Sequence, residues 1–153
     1  MIRNLLDADA LASLIHKSQI QIVETSWQGH QNYLAGHIPG AIFLDMSLLD
    51  DPLTLNKLPD ERLLQVLITH GLTAETPVLL YGKDPLSAFR AASILLYAGV
   101  REIRILDGGY NAWFQSGREV ERKQNFSIPA DSFGVQFPAQ KNYFINMEDV
   151  KAL

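Results

Sequence analysis

The residues of this chain best placed to do chemistry run from Gly82 to Ser87, Gly-Lys-Asp-Pro-Leu-Ser, between an apolar run and a stretch rich in small residues. A loop joining the C-terminal end of a strand to the N-terminus of a helix gathers converging N–H groups and the positive end of the helix dipole. That setting suits an anion or an anionic nucleophile. The chain supplies no sulfur nucleophile, because it contains no cysteine. Thiolate chemistry and cysteine-ligated metal are therefore excluded. Ser87 is the loop's only hydroxyl, yet no G-x-S-x-G elbow surrounds it and no base is near it in sequence. It is expected to cap the following helix.

The four histidines add no second centre. His16, His30 and His70 show no ligand spacing with one another, so neither a metal nor a cofactor is expected. His70 fits a cation at a helix C-terminus, and His37 a structural residue at a turn.

Several elements must position the loop. Asp7 is expected to cap a helix reaching about Lys17, with Leu11, Leu14 and Ile15 at helical spacing, and Ile20–Glu24 follows as a strand. A turn of helix over Tyr33–Ala35 ends on Gly36, Ala41–Leu44 is a second strand, and Asp45–Leu58 is mostly loop. Pro59, Asp60 and Glu61 open a helix with Leu63, Val66 and Leu67 on one face and His70-Gly71 at its end. Pro77–Tyr81, apolar throughout, suits a central strand of a parallel sheet covered on both faces. Ala88, Ala91, Ala92 and Leu95 give the next helix a small-residue face that allows close approach to the sheet before Gly99. Ile103–Leu106 is a strand, and Gly108-Gly109 turns into a short helix carrying Trp113 and closing at Gly117. Strands alternating with helices define an α/β class, an open parallel sheet with helices on both faces.

Composition narrows the partners. With 153 residues, 47% hydrophobic and 20% charged, the chain can bury a core as one domain. A net charge of −4 and no basic stripe argue against nucleic acid. The longest apolar run falls well short of the roughly 20 residues of a membrane helix, and MIRNLLDADA is acidic where a signal peptide is basic and apolar. A cytoplasmic location without membrane attachment is expected.

Three blocks, in order, carry a resemblance: Gly36-His37-Ile38-Pro39-Gly40-Ala41, the segment from Tyr81 to Ala92, and Leu106-Asp107-Gly108-Gly109 followed by Trp113. Together they resemble the rhodanese-like (thiosulfate sulfurtransferase) family over roughly residues 5–120. The resemblance implies a loop in which a cysteine thiolate takes up a sulfane sulfur as a persulfide. It places Gly82 at the cysteine, Pro85 where glycine is frequent and Ser87 where many active members carry arginine. Pro85 has no N–H to donate, Asp84 opposes an incoming anion, and Lys83 is the loop's one cation. Glu24-Thr25-Ser26-Trp27 resembles the turn after the family's first long strand, with Glu24 and Trp27 structural.

The expected organisation is a rhodanese-like domain over 1–121 without the catalytic cysteine, then a linker or wrapping segment over 122–141. Residues 142–153, with a capped helix starting at Asn146–Val150, would open a second rhodanese-like domain; the alternative is a complete protein whose last helix packs on its own core. Phe126, Phe133, Phe137, Tyr143 and Phe144 are expected to mark a surface that such a partner domain covers. The first functional reading is a non-catalytic domain of a thiosulfate or 3-mercaptopyruvate sulfurtransferase-type protein. The second is a stand-alone module whose loop, Gly82, Lys83, Asp84, Pro85, Leu86 and Ser87, holds a small anion or a partner's acidic side chain. A hydrolase or phosphatase is weaker, since phosphoryl transfer on such a loop also relies on cysteine.

Overall fold

The continuous apolar run becomes β4 (Val78–Gly82), buried at every position, as expected of a strand with packing on both of its faces. The computed structural model describes residues 5–140 apart from 18, 52 and 55. In chain order the other elements are β1 (Leu5–Leu6), α1 (Ala8–Leu14), β2 (Gln21–Ser26), α2 (Gln31–Ala35), β3 (Ile42–Asp45) and α3 (Asp60–Thr69). After β4 come α4 (Ser87–Ala98), β5 (Ile103–Leu106) and α5 (Gly109–Gln115). The strands lie in the order β1-β5-β4-β2-β3, all parallel, with β4 in the middle.

Period-two alternation splits the sheet between two cores. On one face Val23, Leu80 and Ile105 pack with Leu63 and Leu67 of α3 and with Ala88, Ala91 and Leu95 of α4. On the other, Ile22, Leu79 and Tyr81 meet Leu11 of α1, Tyr33 of α2 and Trp113 of α5. The expected two-faced α/β sheet is thus present. Asp7 caps α1, its Oδ1 accepting from Ala10 N–H at 2.7 Å. The helix stops at Leu14 rather than Lys17, and β2 extends to Ser26 beyond the expected Glu24, because Thr25 and Ser26 pair with Leu44 and Asp45. The loop after β3 contains a 3-10 turn, Met46–Leu48. It is pinned to α4 by Arg90, whose guanidinium grips both oxygens of the nearly buried Asp50 at 2.7–3.0 Å.

Residues 121–140 have no helix or named strand but run back over the domain as a strap. Glu121 and His37 exchange both backbone hydrogen bonds at 2.9 Å, and Ala130 N–H reaches Ile68 O at 2.9 Å. Farther on, Phe133 O accepts from Ala74 N–H, and the N–H groups of Ala139 and Gln140 bond to Ala98 O and Tyr97 O, each at 3.0 Å. The aromatic surface expected along this stretch is only partly there. Phe133 is 3% exposed in the α3–α4 core and Phe137 packs edge-on against it, whereas Phe126 is 84% exposed. Burying Phe133 removes from water a side chain worth about 1.5–3 kcal/mol, which is why the strap folds onto its own domain. Tyr143, Phe144 and the helix expected from Asn146 lie outside the described residues.

Candidate functional site

β4 delivers Gly82 to the C-terminal edge of the sheet, paired with Thr25 of β2. A side chain at this position would have to displace its neighbours. A Cβ on Gly82 would stand 2.4 Å from Ser87 Oγ, 3.2 Å from Thr25 O and 3.3 Å from Asp84 O. The turn before α5 presses in as well, since a Cβ on Gly109, which sits at φ 61°, would meet Gly82 O at 2.8 Å.

Ser87 fills the space because its hydroxyl is turned into β2. It is fully buried, donates to Thr25 O at 3.0 Å and accepts from Thr25 Oγ1 at 2.8 Å. The expected cap role is therefore corrected: Ser87 is the first residue of α4, the N-cap position is Leu86 with no side-chain cap, and Asp84 forms a turn just ahead of the helix. Asp84 Oδ1 accepts from Leu86 N–H at 2.9 Å and from Ser87 N–H at 2.7 Å. Acceptance two and three residues ahead is an Asx turn, and the proline inside it has no N–H to leave unpaired. The Asp84-Pro85 pair was the sequence signal for a turn here, two residues short of the helix.

Lys83 turns away from the loop's N–H groups. Its ammonium donates to the carbonyls of Asn32 and Gly36, the latter at 2.6 Å, lies 3.4 Å from Glu24 Oε2 and stands 4.5 Å over the Tyr110 ring. Glu24 is 1% exposed and accepts from Tyr81 Oη at 2.7 Å. Burial pushes its carboxyl above the ordinary range, against the pull of Tyr81 and Lys83. Burial likewise raises the Tyr81 phenol, with the Glu24 charge adding to it. Tyr81 Oη also accepts from Ile38 N–H at 3.1 Å, joining β4 to the Gly36–Ala41 block.

His37 is a fully buried structural residue, as expected. Its ring stacks on Tyr33 with centroids 3.9 Å apart, Nδ1 meets Tyr33 O at 2.9 Å and Nε2 lies 3.3 Å from Glu121 Oε1. His70 Nδ1 meets Val66 O at 2.7 Å at the end of α3, and Trp27 is 41% exposed. Beside the loop lies a cavity of about 400 Å³, lined by Gly82, Lys83, Asp84 and Pro85 from one side and Asp107, Gly108 and Asn111 from the other. Of the six loop residues, the structure brings Gly82 and Ser87 together, joins Asp84 to Leu86 and Ser87, and sends Lys83 elsewhere. Thr25, which the sequence reading left without a role, holds Ser87 in place.

A sheet of this order with such a loop after its central strand is the frame of the rhodanese-like domain family, and residues 7–116 match that family. The chain belongs to it. The thiosulfate sulfurtransferase YnjE of Escherichia coli K12 is 40% identical over 134 residues, a match covering 87% of this chain and 31% of YnjE. The 3-mercaptopyruvate sulfurtransferase of the same organism is 34% identical over 143 residues, covering 85% of this chain and 50% of the relative. Among solved structures, YnjE superposes with a TM-score of 0.90 at 35% identity over 99% of this chain and 38% of its own. Wild-type EanB gives 0.87 at 29% identity over 97% of this chain and 40% of its own. The chain thus spans between 31% and 50% of the length of these sulfurtransferases. Among the described residues no helix is long and apolar enough to cross a membrane.

Proposed function

We propose that this chain is a non-catalytic rhodanese-like domain of a thiosulfate or 3-mercaptopyruvate sulfurtransferase-type protein, in which a cysteine beyond these residues carries the sulfur. The observation that bears most weight is Gly82: the position corresponding to the nucleophile has no thiol, and even a Cβ there would press on Ser87 Oγ at 2.4 Å. The covalent step of sulfur transfer needs a thiolate that forms a persulfide and hands it on, and no side chain in this chain can form that bond. The greater length of the related sulfurtransferases supports a partner domain. The segment 122–141 would link the two, with 142–153 opening the second, and the cytoplasm is the expected site of action. Within such a protein this domain supplies a folded wall of the interdomain cleft.

The test is to read the coding sequence past codon 153, produce the longer chain, and measure thiosulfate- and mercaptopyruvate-dependent sulfur transfer to cyanide. The expected result is activity in the longer chain that disappears when a cysteine outside residues 1–153 is replaced by serine. Activity that survives every such replacement would overturn the reading, as would turnover by residues 1–153 alone.

A further inference from the structure

We infer that Asp84 is the residue that closes this loop to anions, because its carboxylate occupies, as a built-in ligand, the donors an external anion would need. The inference concerns this loop alone and stands whether or not a longer protein transfers sulfur. Three observations converge. The N–H groups of Leu86 and Ser87, at the start of the 12-residue α4, both donate to Asp84 Oδ1, at 2.9 and 2.7 Å. The loop's one cation is directed onto Asn32 O, Gly36 O and Glu24, so it does not offset that charge. The cavity at the loop, about 400 Å³, is lined by Asp84 and Asp107 together with Lys83, whose ammonium is the one tied to Asn32 O, Gly36 O and Glu24. An incoming sulfate or thiosulfate would have to displace one charge and approach another.

The position of the carboxylate is set by the chain itself. Asp84 reaches two and three residues ahead, and Pro85 between them carries no N–H that could compete for it. The same contact therefore closes the turn ahead of α4 and fills the cradle. Occupation of these donors is thus a direct consequence of the Asp84-Pro85 turn, separate from the missing cysteine. Replacing the cysteine alone would leave the loop closed.

Sulfate is the probe. Two-dimensional amide NMR at constant ionic strength, with sulfate exchanged for chloride, should leave Leu86 and Ser87 N–H signals of the wild-type chain in place. In Asp84→Ala the same two signals should shift and saturate, with affinity gained by about tenfold or more, the worth of freeing donors to a charged acceptor. Asp84→Asn keeps an acceptor for the two N–H groups but removes the charge, so it should gain less than Asp84→Ala and more than wild type. It also tests the idea if the alanine variant fails to fold. Wild-type signals that saturate with sulfate as readily as those of either variant would overturn the inference. So would a folded Asp84→Ala, or Asp84→Asn, with no gain.

Discussion

The Gly36–Ala41 block and the Gly82–Ser87 loop are both family signatures, and they differ in how far their backbone N–H groups reach for acceptors. In the block the partners are far away in sequence. His37 exchanges backbone hydrogen bonds with Glu121, Gly40 N–H donates to Glu121 Oε1 at 2.8 Å, and Ile38 N–H donates to Tyr81 Oη. In the loop the decisive contacts are made two and three residues along, from Asp84 to Leu86 and Ser87, with Thr25 across the sheet. The block is a joint between the domain and its strap, while the loop is a turn that closes on itself ahead of α4. A signature can therefore serve as a fold device in a chain that has no cysteine, and the way to tell is to ask where its polar groups point.

The largest effect should come from breaking the long-range side. Phe133→Ala empties a fully enclosed site in the α3–α4 core and should cost about 3–5 kcal/mol, a large share of the stability of a domain of this size. Stopping the chain at residue 121 removes Phe133 together with Asn125, whose N–H and Nδ2 donate to Tyr33 Oη at 3.1 Å and Ala41 O at 3.0 Å, and should yield a chain that unfolds or aggregates. Urea denaturation of both variants checks this. If both match the wild-type midpoint, the strap is a passive linker after all.

A smaller, pH-dependent effect should sharpen the joint. Burial works to raise the Glu121 carboxyl, but hydrogen bonds from Asn125 Nδ2 and Gly40 N–H and the nearby His37 ring outweigh it and hold the group below the ordinary carboxylate range. A depressed native value means stability that is present above the unfolded carboxyl's titration and lost as pH falls through the native one. Glu24 has the opposite sign: its raised native value favours the folded state at acid pH, and that contribution is lost as pH rises through it. Glu121→Gln should flatten the acid limb of the stability–pH curve, and Glu24→Gln should remove the opposing limb. Equal curves for wild type and Glu121→Gln would show that the joint is backbone alone.

Much of the fold was legible because its signals are local. Pro77–Tyr81 announced a buried central strand by being apolar throughout, and Ala88, Ala91 and Ala92 announced close helix–sheet packing. The strap was only half legible, since nothing near Phe133 in sequence says that Ala74 and the α3–α4 core will receive it. The loop was legible as a place and not as an arrangement. Asp84 was seen as a charge opposed to an anion, while its reach to Leu86 and Ser87 depends on backbone direction that residue identity alone does not supply. Ser87 illustrates the same gap. A serine before a helix suggests a cap, but Thr25 offers it two partners across the sheet, and those contacts turn the hydroxyl inward. Replacing Ser87 by arginine to rebuild an active loop would accordingly force a guanidinium into a fully buried site.

The central claim is that the whole loop, and not one residue, has passed from chemistry to structure, and Gly82→Cys tests it most directly. The new Cβ meets Ser87 Oγ at 2.4 Å, so the variant should lose about 1–3 kcal/mol of stability to overpacking. Pairing it with Ser87→Gly should restore part of that loss by removing the nearest atom. Thiosulfate:cyanide turnover should stay at the no-protein background in both, since Asp84 still holds the Leu86 and Ser87 N–H groups. A Gly82→Cys chain as stable as wild type that transfers sulfur to cyanide in proportion to protein would contradict the account.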